Sequence, residues 1–271
     1  MRAGFAGLVA MMAALAAPIS QTAAEAAECP GNPKALGVSR VQDIDTKGGP
    51  RFGQQQYKDD DFLGDGEVVL TFDDGPARAY TQAVINALAA HCTKATFFMV
   101  GQRALQDTAM VREVAARGHT VGTHTWSHEN LRKAGQGGRR EIELGLSAVS
   151  QALGRPVAPF FRFPYLADTS AMMSHLQARN VSNVSIDIDS YDYRSQDPAD
   201  VHRRIMGELA TKRKGILLFH DIQPSTARAL PGLLAAMKAQ GFRVVHMVPA
   251  APVQTLAEFD TIARGGKPRQ V

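Results

Sequence analysis

The chain has 271 residues, of which 45% are hydrophobic and 21% are charged, a composition typical of a globular protein with a sizeable core. The formal net charge is +4, and the basic residues are scattered rather than grouped with aromatic residues, so the sequence does not indicate nucleic-acid binding. No feature of the sequence indicates a partner protein.

The N-terminus resembles a secretory signal peptide. Arg2 precedes an uncharged apolar stretch over residues 4–17, and Ala24 and Ala26 have the spacing of a cleavage site. The apolar stretch is shorter than the roughly 20 residues that span a bilayer, which makes an uncleaved membrane anchor the weaker interpretation. We therefore expect residues 1–27 to be a signal peptide and the protein to be exported, either to the periplasm or into the medium, without stable membrane insertion.

Residues 28–66 are rich in Gly, Pro, Gln and Asp and lack hydrophobic periodicity, which predicts an irregular N-terminal arm on the surface. The chain has two cysteines, Cys29 and Cys92, and both follow the predicted signal peptide. In an oxidising compartment such a pair is expected to form a disulfide, which would attach the arm to the end of the first predicted helix. The spacing does not prove this link, and two unpaired buried thiols are the alternative.

From residue 67 onward, short apolar runs alternate with segments of helical periodicity. In residues 139–153, for example, apolar side chains recur at spacings of four, three and four, which is one face of a helix. The predicted strands are 67–72, 95–100, 119–124, 159–163, 184–188, 215–219 and 243–247. The predicted helices are 81–90, 103–116, 139–153 and 170–178, with further helical stripes over 201–209 and 230–237.

Seven strands that alternate with helices predict an α/β protein with a parallel sheet and right-handed crossovers. Both a barrel and a doubly wound sheet fit this pattern. No internal repeat or second domain is evident, so we expect a single domain over residues 67–250. Residues 251–271 are predicted to be a weakly ordered C-terminal tail.

Polar residues that carry chemistry follow the ends of the predicted strands. Asp73 and Asp74 follow the first strand, His124 ends the third, and His128 lies four residues further on. Because the carboxyl ends of parallel strands form one edge, these side chains should converge. Two imidazoles and one carboxylate suit a zinc site with an open coordination position, which leaves the second aspartate for acid–base chemistry. Other polar residues at strand ends are Arg162, Tyr165 and His220.

Five segments at predicted strand ends follow one another along the chain: 71–76 (TFDDGP), 124–128 (HTWSH), 162–165 (RFPY), 187–193 (DIDSYDY) and 217–221 (LLFHD). In this order they resemble the motifs of the polysaccharide deacetylases, the NodB-homology group or carbohydrate esterase family 4. The resemblance extends over about residues 67–249, and five ordered motifs at predicted strand ends make it specific. It implies a distorted (β/α)7 barrel and a metal-dependent hydrolase that removes acetyl groups from the N-acetylated sugars of a poly- or oligosaccharide.

By this resemblance, Asp74, His124 and His128 are the ligands of one divalent metal ion. Zinc is the expected ion, because such a set leaves it room for a water and a substrate oxygen, and Co²⁺ or Ni²⁺ would fit the same ligands. Asp73 resembles the catalytic base that takes a proton from the attacking water. Arg162 resembles the arginine that holds this base in place.

The remaining roles implied by the resemblance concern the leaving group and the acetyl pocket. Tyr165 resembles the residue whose backbone N–H stabilises the oxyanion, and His220 resembles the general acid, which Asp192 would orient and keep protonated. His220 follows the sixth strand, which would place it across the rim from Asp73. Tyr193 stands where the family often has Trp, so the pocket wall differs here. Tyr165, Tyr193 and Leu218 are the expected substrate-binding residues.

Two other functions fit the same residues. One is an O-deacetylase on acetylated polysaccharide, and the other is a catalytically inactive carbohydrate-binding protein on the same scaffold. The intact set of candidate metal ligands, base and acid disfavours the inactive protein. The loops between strands are short, which suggests an open groove, and peptidoglycan, chitin-type oligomers and exopolysaccharide all fit as the acetylated glycan.

Overall fold

The structure is a computed structural model that describes residue 1 and residues 29–58, 60–135 and 137–265. The predicted signal peptide therefore lies almost entirely outside the described residues. No helix in the described ranges has the length and apolar character needed to cross a membrane. The strands are β1 (Arg40–Ile44), β2 (Arg51–Phe52), β3 (Glu67–Asp73), β4 (Thr96–Met99), β5 (Thr120–Thr123), β6 (Phe160–Phe161), β7 (Ser182–Val184), β8 (Ile188–Asp189), β9 (Gly215–His220) and β10 (Arg243–Pro249).

Helices follow most of the strands and cover the outside of the sheet. They correspond closely to the segments predicted from helical periodicity. The helices are α1 (Arg78–Ala90), α2 (Gly101–Gln106), α3 (Thr108–Ala116), α4 (Gly137–Leu153), α5 (Ser170–Ala178), α6 (Pro198–Lys212), α7 (Pro224–Ala239) and α8 (Ala257–Ala263), with a 3₁₀ turn at Pro164–Leu166.

The strands form one parallel sheet with β3 at its centre. β3 pairs with β9 along most of its length, with β4 over its last three residues and with β10 over its first two. From β4 the order continues through β5, β6 and β7 to β2, and β8 lies beyond β9. The predicted strand 184–188 is observed as two short strands, β7 and β8. In the connection between them, the carbonyl oxygen of Ser185 accepts a hydrogen bond from Arg162, and the carboxylate of Asp187 accepts one from the N-terminal arm.

The alternation of side chains divides the apolar core between the two faces of this sheet. On β3, Val68, Leu70 and Phe72 pack into the large core shared with the helices. Val69 points to the opposite face, into a smaller core that includes Phe98. Helices outside and an apolar layer inside are the arrangement of a barrel. The predicted distorted (β/α)7 barrel in a single domain is therefore confirmed.

The N-terminal arm is not irregular throughout, which corrects the prediction for residues 28–66. β1 pairs with β10 and β2 pairs with β7, both in parallel. Only Ile44 of β1 is fully buried, and Val41 is 56% exposed, so this strand lacks the apolar alternation by which a strand is recognised.

Two further segments differ from the sequence-based prediction. The predicted helix over residues 103–116 is divided into α2 and α3 at Asp107, whose carboxylate accepts a hydrogen bond from the backbone N–H of Met110 and caps α3. The predicted weakly ordered tail contains α8, whose Phe259 packs against Leu144 of α4. With seven residues, α8 is too short to show a helical period in the sequence.

Cys29 and Cys92 are joined by a disulfide, with their Cα atoms 5.6 Å apart. Cys92 lies just after α1, and the side chain of Asn32 donates a hydrogen bond of 2.8 Å to the carbonyl oxygen of Ala90 at the same place. The start of the arm is thus attached to the end of the first helix, where the sequence analysis expected it.

We expect the denatured, unreduced protein to contain no free thiol, and two after reduction. The link closes a loop with a sequence separation of 63, for which the chain-entropy estimate of stabilisation is about 4 kcal/mol. The double variant Cys29→Ser, Cys92→Ser should unfold at a correspondingly lower denaturant concentration. Thiol titration is the direct measurement, and two free thiols in the unreduced protein would contradict the bridge.

Candidate active site

The predicted site residues meet at the carboxyl edge of the barrel. Most of them line a cleft of about 540 Å³, into which β3 and β9 direct their last residues and β5 directs the residue that follows it, His124. Arg162 and Asp192 lie behind the wall of the cleft and are fully buried. The residues of the predicted site that line the cleft are Asp73, Asp74, His124, His128, Tyr165, Tyr193, Leu218 and His220.

Asp74, His124 and His128 form a candidate metal centre, since their ligand-type atoms all lie within 4.8 Å of one another. Oδ1 of Asp74 lies 3.5 Å from Nε2 of His124 and 3.1 Å from Nε2 of His128. This oxygen is buried and accepts no hydrogen bond within the described residues. A buried carboxylate oxygen that lacks a donor and faces two imidazole nitrogens fits a divalent cation.

The local backbone conformation and the contacts of His124 hold these ligands in position for metal binding. Asp74 and His128 have φ angles of 73° and 64°, in the left-handed region, and the N–H of His128 donates to Oγ1 of Thr125 at 2.9 Å. Nδ1 of His124 donates to the carbonyl oxygen of Arg162 at 2.8 Å, which leaves the lone pair on Nε2 facing Asp74. Burial lowers the pKa of His124 and so favours the neutral imidazole that binds metals.

Asp73 is held by a fully buried arginine. Nη1 of Arg162 donates to Oδ1 of Asp73 at 2.8 Å, and the same guanidinium donates to the carbonyl oxygens of Val184 and Ser185 at 2.8 and 3.0 Å. Oδ2 of Asp73 lies 3.8 Å from Nε2 of His124, on the side of the cleft. One oxygen of Asp73 is therefore fixed by the arginine, while the other is directed toward the candidate metal centre.

His220 forms a pair with the fully buried Asp192. Nδ1 of His220 lies 2.7 Å from Oδ1 of Asp192, whose Oδ2 accepts the backbone N–H of His220 at 2.7 Å and the hydroxyl of Thr226 at 2.5 Å. Burial alone would lower the pKa of His220, but the hydrogen bond and charge of Asp192, with the charges of Asp74 and Asp73, raise it to about 9. His220 thus holds its proton at neutral pH.

The strand order corrects one expectation about this pair. His220 does not lie across the rim from Asp73, because β9 is the neighbour of β3 and the two residues are register partners. The sequence separates these strands by more than a hundred residues, so their adjacency was not visible in it.

The three expected substrate-binding residues also face the cleft. Tyr165 lies in the 3₁₀ turn after β6 with a φ of 59°, is 67% exposed, and its ring centroid is 4.8 Å from that of His128. The ring of Tyr193 lies 5.5 Å from that of His220. Leu218 is buried and contributes an apolar wall from β9.

Sequence analysis missed several residues that build the site. The hydroxyl of Thr71 accepts a hydrogen bond from Arg162, and its position two residues before Asp73 on one strand face was the available signal. Asp189 lines the cleft, and burial raises its pKa. It belongs to the fourth motif, but the sequence assigned it no role. Thr226 and Gln55 carried no motif signal.

Fold and site together define an α/β barrel with a candidate metal centre beside a buried aspartate–arginine pair. A sequence profile described as polysaccharide deacetylase matches residues 62–184. The family 4 carbohydrate esterase from Streptomyces lividans, solved with acetate, superposes with a TM-score of 0.58 at 30% identity, over 66% of this chain and 91% of that one. The chain therefore belongs to the polysaccharide deacetylase family, which confirms the resemblance seen in its motifs.

Other relatives bear names that specify a glycan. A solved peptidoglycan deacetylase from Bdellovibrio bacteriovorus has a TM-score of 0.71 at 31% identity, over 80% of this chain and 60% of that one. A peptidoglycan-N-acetylglucosamine deacetylase from Listeria monocytogenes is 28% identical over 66% of this chain, which spans only 37% of the length of that relative. A chitooligosaccharide deacetylase from Azorhizobium caulinodans is 29% identical over 65% of this chain and 90% of its own length.

Proposed function

We propose that this protein is an exported, metal-dependent hydrolase that removes acetyl groups from the N-acetylated sugars of a poly- or oligosaccharide. The observation that carries the proposal is the position of Asp73 and His220, which are register partners facing one cleft. One is a carboxylate fixed by an arginine, and the other is an imidazole that keeps its proton. A base and an acid are thus placed beside a cluster that fits a metal ion.

The site residues have separate roles in amide hydrolysis. A divalent cation, held by Asp74, His124 and His128, would polarise the acetyl carbonyl and acidify a water. Asp73 accepts the proton of the attacking water, and Arg162 keeps the carboxylate in place for this transfer.

His220 carries out the second proton transfer, to the leaving group. It donates a proton to the sugar nitrogen as the carbon–nitrogen bond breaks, and Asp192 holds the imidazole by its Nδ1 so that Nε2 remains for the substrate. The backbone N–H of Tyr165 donates to the carbonyl oxygen as negative charge develops there, and Leu218 and Tyr193 enclose the acetyl methyl group.

The protonated state of the His220 imidazole favours N-deacetylation over O-deacetylation. An amine is a poor leaving group unless its nitrogen is protonated, whereas an ester oxygen needs less assistance. A histidine whose pKa is raised to about 9 supplies this proton at neutral pH. An inactive binding protein would have no need for this complete set of base, acid and metal ligands.

The native metal and the glycan are proposed on chemical grounds. Two imidazoles and a carboxylate favour zinc, although Co²⁺ and Ni²⁺ fit the same donors. Relatives named for peptidoglycan and for chitooligosaccharides support an N-acetylglucosamine-containing glycan as the substrate. The disulfide and the predicted signal peptide support an exported protein.

We expect the purified protein to hold about one divalent ion per chain and to release acetate from N-acetylated glycans only when metal is present. Chelation should abolish the release and added Zn²⁺ should restore it, while His124→Ala should bind less metal. Elemental analysis and an acetate assay on peptidoglycan, chitin oligomers and exopolysaccharide measure both properties.

The matched control is His202→Ala, which removes an imidazole from α6 outside the cleft. It should behave as the unsubstituted protein does. Equal metal content in the unsubstituted protein and His124→Ala would contradict the metal centre. A metal-loaded protein that binds glycans but releases no acetate would instead favour the carbohydrate-binding alternative.

A further inference from the structure

Residues 53–57 of the N-terminal arm, here termed the arm turn, pack against the connection between β7 and β8. The backbone N–H of Gln54 donates to Oδ1 of Asp187 at 2.5 Å, and that of Gln55 donates to the carbonyl oxygen of Ile186 at 3.1 Å. At Gly53, with φ of 102°, a Cβ would lie 2.4 Å from the backbone nitrogen of Ile186. The turn is thus closely docked, and it precedes the residues that the family profile matches.

The other side of the arm turn holds the loop after β6, which carries Tyr165. Nε2 of Gln56 donates to the carbonyl oxygen of Leu166 at 2.8 Å, and Oε1 of Gln56 accepts the hydroxyl of Ser185 at 2.5 Å. The hydroxyl of Tyr57 donates to the carboxylate of Asp168 at 2.7 Å. The arm turn is therefore held by hydrogen bonds on both sides, and its Gln55 lies at the edge of the active-site cleft.

Gln55 differs from its neighbours in this turn, because its side chain is exposed and forms no hydrogen bond within the described ranges. It lines both the active-site cleft and an adjoining cavity of about 430 Å³, here termed the second cavity. The ring of Tyr191 also borders both spaces, and the guanidinium groups of Arg194 and Arg204 lie 4.2 and 4.7 Å from its centroid. The boundary between the two spaces is thus a fixed aromatic ring and an amide with unused hydrogen-bonding capacity.

The lining of the second cavity suits a neutral, hydroxyl-rich ligand. Nζ of Lys214 lies 2.7 Å from Oδ2 of Asp61, and Nζ of Lys212 lies 3.2 Å from Oε2 of Glu208. Because these charges already have partners, the cavity presents polar groups without a strong unbalanced charge. Sugar hydroxyls both donate and accept hydrogen bonds, as does the amide of Gln55.

We propose that the second cavity binds the sugar unit next to the one that loses its acetyl group, and that Gln55 forms a hydrogen bond with this unit. The inference rests on the proposed function and makes it more specific. It makes the preferred substrate an oligosaccharide or polymer rather than a single N-acetylated sugar. It also assigns the N-terminal arm a direct part in substrate recognition.

The test compares a substrate that fills only the active-site cleft with one that extends into the second cavity. Hydrolysis of 4-nitrophenyl acetate and acetate release from N-acetylglucosamine and its dimer and tetramer are measured for the unsubstituted protein, Gln55→Ala and Gln55→Glu. Gln106→Ala, at the end of α2 and outside both spaces, is the matched control. Thermal unfolding of each variant establishes that it is folded.

We expect the unsubstituted protein to prefer the dimer and tetramer over the monomer. In Gln55→Ala the ratio of kcat/KM for the tetramer to that for the aryl ester should fall about tenfold, mainly through KM, as for the loss of one hydrogen bond. In Gln106→Ala the ratio should not change. An unchanged ratio in Gln55→Ala, or an equal loss on all substrates, would overturn the proposal, since the latter indicates a turn that only supports the catalytic residues.

Failure of the proposed function gives a different result. In that case the unsubstituted protein hydrolyses the aryl ester or binds metal but releases no acetate from any glycan. Calorimetric titration with the N-acetylglucosamine tetramer then tests the second cavity by itself. Weaker binding to Gln55→Ala than to Gln106→Ala supports the second cavity, and equal or undetectable binding to both overturns it.

Discussion

Asp73→Asn is expected to retain the metal and to lower acetate release by roughly 10²-fold or more, the usual effect of removing a general base. The side chain keeps its shape, and its amide oxygen can still accept the hydrogen bond from Nη1 of Arg162. It can no longer accept a proton at the oxygen that faces the candidate metal centre. The measurement is kcat on a chitin oligomer, expressed per metal-loaded chain.

Stability must be measured alongside activity, because Arg162 is completely buried. Asp73→Asn replaces the charged partner of this arginine by a neutral amide and should destabilise the protein. Breaking a buried ion pair typically lowers the free energy of unfolding by about 3–5 kcal/mol. Asp43→Asn removes an exposed carboxylate on β1 and serves as the control for the loss of one negative charge. Full activity with full metal content in Asp73→Asn would make Asp73 a structural residue, and loss of the metal would instead place it among the ligands.

The regular part of the fold could be predicted because its physical cause is local. Apolar runs such as residues 67–72 and the helical stripe of 139–153 are visible in any short window of sequence. The barrel itself could not be derived in this way, because curvature depends on which strands pair. β10, for example, pairs with both β3 and β1. The family resemblance, rather than periodicity, distinguished the barrel from the doubly wound sheet.

The same distinction applies to the site. Asp73, Asp74, His124 and His128 lie in compact motifs at strand ends, so their convergence was predictable. The proximity of His220 to Asp73 depends on a pairing between distant strands and was predicted incorrectly.

The arm turn was missed for a different reason. Its contacts with the barrel are mostly hydrogen bonds from backbone groups and glutamine side chains, which leave no apolar period in the sequence. β1 was missed in the same part of the chain because an edge strand with one fully buried residue resembles a loop.

His220→Ala is expected to lower acetate release from an amide substrate by about 10²–10⁴-fold while sparing an activated aryl ester. The amine needs a proton to leave, whereas a nitrophenolate leaves without one. The pH dependence follows from the same group. Because the pKa of His220 is raised to about 9, the imidazole is protonated at neutral pH, and amide cleavage should decline as the pH rises through about 9.

Asp192→Asn separates this acid from a merely structural histidine. The substitution weakens the hydrogen bond and removes the charge that raise the pKa of His220, while burial, which lowers that pKa, remains. The alkaline decline of amide cleavage should therefore move to lower pH, with metal content and aryl ester hydrolysis little changed. His202→Ala is again the control. If His220→Ala lost amide and ester hydrolysis equally while retaining its metal, His220 would shape or bind the substrate rather than protonate the leaving nitrogen.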